Sequence, residues 1–84
     1  MPVLARFYGI TVRMYLRGSE HNPPHVHALY GDYAAAFDLR TAEIIDGDIP
    51  PRAASLVKEW MLLHQAELMR IWETQEFERI DPLE

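Results

Sequence analysis

The sequence predicts an α+β domain: an antiparallel meander of three or four strands with one long C-terminal helix across one face. Three observations carry this. Residues 10–16 alternate apolar and polar side chains, the period of a half-buried strand. Residues 25–30 and 33–39 are two further strand-like runs separated by Gly31-Asp32, a pair suited to a two-residue hairpin turn. From Arg52 to Gln75 there is no glycine or proline, and apolar residues recur there at spacings of three and four, the signature of a helix with one buried face.

In the first strand Ile10, Val12, Met14 and Leu16 point one way, and Thr11, Arg13 and Tyr15 the other. The tight turn fixes the register of the next two strands. It pairs Tyr30 with Tyr33, Ala28 with Ala35 and Val26 with Phe37. These six share the face expected to meet the core. On the opposite face Leu29 pairs with Ala34, His27 with Ala36 and His25 with Asp38. A shorter strand, Glu43 to Asp46, follows a turn at Arg40-Thr41-Ala42. Pro50-Pro51 suits a helix start, where a missing N–H costs nothing. Ala53, Val57, Trp60, His64, Leu68 and Ile71 form the stripe that covers the sheet, with Leu56, Met61 and Leu63 on its flanks. The expected layout is one domain, residues 1–84, with the meander at about residues 8–46, the helix at about 50–76 and a tail at 77–84.

Composition sets outer limits. With 84 residues, 49% apolar and 25% charged, the chain is an ordinary single globular domain, small enough that a partner would help its stability. No apolar run reaches membrane-spanning length, and the N-terminus lacks a signal-peptide layout; a cytoplasmic location is the expectation. Without cysteine there is no disulfide, thiolate metal site or thiol nucleophile. The net charge of −5 is uneven: residues 1–30 carry three arginines against one glutamate, and residues 31–84 carry five basic against twelve acidic residues. Non-specific nucleic-acid binding is disfavoured overall, while a local basic patch in the first thirty residues remains compatible with the sequence.

The candidate chemistry lies in Glu20-His21-Asn22-Pro23-Pro24-His25-Val26-His27, where three of four histidines fall within seven residues. Imidazole exchanges a proton near neutral pH. A strand His-x-His projects both rings from one face, about 6.6–7 Å apart at Cα. One reading is acid–base catalysis on RNA: His25 and His27 as proton-transfer groups, Asp38 orienting His25, Arg13 (or Arg17) on phosphate and Tyr15 as donor or stacking ring. It requires no cofactor. A second reading is a divalent transition metal on His21, His25 and His27, with Asp38 as a fourth ligand. The plain alternative is that these side chains solvate the outer face of the sheet. His64 reads as a core or core-edge histidine, and Trp60 and Trp72 as packing. Leu62 and Met69, seven apart on the far side of the helix, could dock a partner helix or a second copy of the chain.

Arg6-Phe7-Tyr8-Gly9-Ile10, Arg13-Met14-Tyr15, His21-Asn22-Pro23-Pro24-His25-Val26-His27-Ala28-Leu29-Tyr30-Gly31, and Glu59-Trp60 with His64 and Glu67-Leu68 together resemble the small prokaryotic family catalogued as domain of unknown function 4160. The likeness covers nearly the whole chain. Where such proteins often read Thr-Gly-Glu, this chain has Thr41-Ala42-Glu43, and alanine makes a positive φ costlier. The resemblance implies a toxin–antitoxin context and a small protein partner such as an antitoxin; it implies no catalytic residue. The expectation is a toxin–antitoxin-type component with nuclease-like chemistry on its histidine face, the alternatives being a non-enzymatic interaction module or a small metal-binding protein.

Overall fold

The computed structural model describes residues 2–15 and 23–84. Five strands form one antiparallel sheet in chain order: β1 Val3–Phe7, β2 Ile10–Arg13, β3 His25–Tyr30, β4 Tyr33–Asp38 and β5 Ile44–Asp48. Two helices follow, α1 Pro51–Leu63 and α2 Gln65–Thr74. The α+β class holds. The count of three or four strands and a single helix is corrected to five and two.

β1 escapes a periodicity reading because its pairing with β2 shifts between Val3 and Ala5. The bulge lets Leu4 and Ala5 both face the core, so strict alternation is lost. The turn that follows holds Tyr8 at φ 49° and Gly9 at φ 79°, a two-residue geometry usually written with Asn-Gly.

The β3–β4 hairpin has the register the Gly31-Asp32 turn dictates, from Tyr30↔Tyr33 to His25↔Asp38. Val26, Ala28, Ala35 and Phe37 are buried on the core face. Tyr30 and Tyr33 share that face by register, yet both are exposed. They stand at the hairpin tip, where Tyr30 lines a groove at the rim of the core together with Tyr8, Ile10 and the start of α1.

β5 is joined by Ala42 at φ 60°, a left-handed alanine whose N–H donates to the Asp38 carbonyl at 2.7 Å. In β5, Gly47 also has a positive φ, and a Cβ there would overlap the Ala34 carbonyl. Only glycine lets the two backbones approach this closely.

α1 buries Ala53, Val57, Trp60 and Met61 on the sheet, with Phe7 and Trp60 rings 5.6 Å apart. The helix breaks at His64 (φ −119°, ψ 21°), whose N–H is shared between the Trp60 and Met61 carbonyls at 3.2 Å each. No glycine or proline marks this point. Directly after it the Gln65 side chain donates to the Leu39 and Arg40 carbonyls at 2.8 and 3.0 Å, tying the start of α2 to the end of β4. His64 Nδ1 donates to the Glu67 carboxylate at 2.9 Å, and the ring tilts against Trp60, at the core edge.

Residues 77–84 carry no helix or strand but are docked. The Ile80 N–H donates to the Leu4 carbonyl at 2.8 Å, Ile80 is buried, and Trp60 Nε1 donates to the Asp81 carbonyl at 2.8 Å. No helix among the described residues is long and apolar enough to cross a membrane.

Candidate functional site

Directly opposed residues of antiparallel strands share a face, so the registers define what the side of the sheet away from the core presents. Arg13 pairs with His27, His27 with Ala36, and Ala36 with Asp46. One cross-strand row therefore reads cation, imidazole, methyl, carboxylate. The neighbouring row runs from Arg6 through Thr11, Leu29 and Ala34 to Asp48. The uneven charge of the sequence thus becomes a polarised sheet face, with arginines on β1 and β2 and aspartates on β5.

Ala36 is the short member of its row. Above it lies an open groove of about 480 Å³ lined by Pro23, His25, His27, Ala36, Ile45 and Asp46, within the range of small-ligand sites. Both strand histidines line it, as the alternation requires.

Each ring is held. His25 Nδ1 lies 2.9 Å from the Pro23 carbonyl; a carbonyl only accepts, so Nδ1 carries the proton and Nε2 is the ring's remaining site. The indole of Trp72 on α2 packs against His25 with centroids 5.3 Å apart. His25 meets His27 edge-on at 5.1 Å, and Tyr15 stacks on His27 at 4.3 Å and 21°. Four rings thus touch in succession from Tyr15 through His27 and His25 to Trp72. Burial, and then the charge of His25, lower the His27 pKa below 6.5, against an opposing pull from Asp46. His27 is a neutral imidazole at neutral pH.

Asp38 sits across from His25, as the register demands, but it does not serve that ring. Its carboxylate accepts from the Arg40 backbone N–H at 2.8 Å, from Nε at 3.2 Å and from a terminal guanidinium nitrogen at 2.9 Å. These Arg40 bonds hold the Asp38 pKa down despite burial. Asp38 braces the turn into β5, and the expected dyad is replaced by His25 on the Pro23 carbonyl. Asp46 is the carboxylate on the groove. The two-for-one shift in pairing between Ala36 and Phe37 hides its facing from an alternation count; a register carried from Ala36 is the signal that finds it.

Arg13 has its Nε buried, with no hydrogen-bond partner among the described residues. Arg17 and His21 lie outside the described residues, as does Leu16. Among the described residues no three His, Asp or Glu side chains are placed to hold a metal ion. Leu62 and Met69 differ in their surroundings: Leu62 is exposed, while Met69 is partly buried against the core. On the helices the exposed large apolar residues are Leu62 and Leu63.

No curated protein and no solved structure matches the chain. A family model described as Domain of unknown function (DUF4160) matches residues 9–73, a span that includes the groove and both helices except the last residue of α2.

Proposed function

Because the chain belongs to this domain family of unknown function, we propose a function from the site itself: the histidine groove is an acid–base site acting on RNA, in a toxin–antitoxin-type component restrained by a small protein partner. The observation that carries this is the groove lined by His25, His27 and Asp46, with Arg13 next to His27 in the same cross-strand row. Metal-free cleavage of a ribonucleotide bond needs a base, an acid and a cation near the phosphate. His27, kept neutral by burial, takes the proton from the ribose 2′-hydroxyl. The 2′-oxygen attacks phosphorus, the bond to the 5′-oxygen breaks, and His25, acting in its imidazolium form with Nδ1–H on the Pro23 carbonyl, gives its Nε2 proton to that leaving oxygen. Arg13, paired with His27 across the strands, supplies the positive charge for the developing phosphorane. Tyr15 and Trp72 hold the rings in place. The toxin–antitoxin context rests on the family resemblance of the histidine segment.

The test is growth after induced expression of the wild type and of His25→Ala, with folding checked by circular dichroism. Wild-type arrest that the variant relieves supports the reading; a harmless wild type without its partner refutes the toxin role. Equal arrest by both would favour a second reading, a non-enzymatic interaction module. That reading has its own observation, Leu62 and Leu63 exposed side by side at the end of α1.

A further inference from the structure

We propose that Asp46 reads the base: the groove takes a guanine whose Watson–Crick edge faces the Asp46 carboxylate, with the nucleotide's phosphate toward Arg13. This rests on the reading of the groove as an RNA site and adds its specificity.

A carboxylate in a phosphate-binding groove is repulsive unless it has a task. Asp46 lines the groove, and among the described residues no hydrogen bond or ion pair engages it. Nor does it hold a charged imidazole, because His27 is kept neutral. What remains is an acceptor pair in search of N–H donors. Of the four RNA bases, guanine alone offers two adjacent donors, N1–H and N2–H, that match a carboxylate in bidentate fashion. Cytosine and adenine offer an amine beside an acceptor nitrogen. Uracil offers one N–H between two carbonyl oxygens, which a carboxylate repels.

The row fixes the direction. Arg13 and Asp46 stand three strand spacings apart, about 14 Å at Cα, with His27 and the small Ala36 between them. Phosphate is drawn to the arginine side and repelled from β5, where Asp48 adds a second negative charge on the same face. The base therefore enters over Ala36, flanked by Pro23 and Ile45, and the reacting ribose and phosphate lie over the histidines.

The experiment is an NMR titration of the full chain with the four ribonucleoside 5′-monophosphates, following groove amides and the His25 and His27 rings. GMP is expected to bind about tenfold more tightly than UMP, the discrimination one bidentate base contact supplies. Asp46→Asn, isosteric and at an exposed position, should bring the four affinities to within about twofold of one another. Arg13→Ala should weaken all four alike. Equal affinities in the wild type, or a guanine preference that survives Asp46→Asn, would overturn the inference and leave the groove reading standing. If none of the four shifts groove resonances, the groove reading falls and the inference with it.

Discussion

Asp38→Asn removes a charge from a side chain that is 5% exposed and accepts three bonds from Arg40. The guanidinium end of the pair is 62% exposed, so its ionic part contributes below about 1 kcal/mol. The bond from the Arg40 N–H is shielded and charge-assisted, a kind that contributes about 1.5–3 kcal/mol, and asparagine retains part of it through its one carbonyl. The net loss should be about 2 kcal/mol, or a fall in Tm of about 8–16 °C for a domain of this size. The sign of the pH dependence follows from the depressed pKa: the carboxylate's contribution is present above its ordinary 3.8 and lost as pH falls through the lower folded value. Thermal melts of both proteins at neutral pH and at stepwise lower pH should therefore differ most at neutrality and converge in acid. RNA cleavage measured well below Tm should be unchanged, since Asp38 touches neither histidine's proton. Equal melting temperatures with lost cleavage would refute the assignment of Asp38 as a turn brace and restore it as the partner of His25.

Gly47→Ala should lose about 3 kcal/mol or more in urea unfolding, from left-handed strain plus overlap with the Ala34 backbone; a loss under about 1 kcal/mol would mean that β5 is free to move away from β4. His27 binds fewer protons folded than unfolded between its lowered pKa and 6.5, so wild-type stability should fall as pH drops through that window. His27→Gln should remove that part of the slope, and identical slopes in Tm between pH 7.5 and about 5 would show that burial does not hold the ring neutral. Leu62→Glu, at an exposed position, should change stability by less than about 0.5 kcal/mol, whereas Met69→Glu, packed against the core, should lose about 2 kcal/mol; the reverse order would contradict the packing of Met69 against the core.

The parts of the fold written in local chemistry were legible. Gly31-Asp32 dictates a two-residue turn, and every pairing of β3 with β4 follows from it. The helical stripe places Val57, Trp60 and Leu68 in the core. What was not legible depends on contacts across the chain. The bulge at the start of β1 cancels its alternation, and the helix breaks at His64, beside a Gln65 side chain bonded to the Leu39 and Arg40 carbonyls far back in the chain. In the site, the opposition of His25 and Asp38 was readable from register. Which group takes the Asp38 carboxylate was not, because Arg40 reaches it from the following turn, two residues on. Asp46 was hidden by the bulge between Ala36 and Phe37, and Trp72 by a helix direction that only the tertiary structure sets.

The most direct test of the account is cleavage of a single-stranded RNA oligonucleotide of mixed sequence by the purified chain, in the presence of a metal chelator, against His25→Ala and His27→Ala. The expected result is metal-independent cleavage leaving 2′,3′-cyclic phosphate ends, reduced by about 10²–10⁴ in either variant with Tm little changed. No cleavage by the wild type, or cleavage that survives both substitutions, would contradict the assignment of the sheet's open face as an acid–base site.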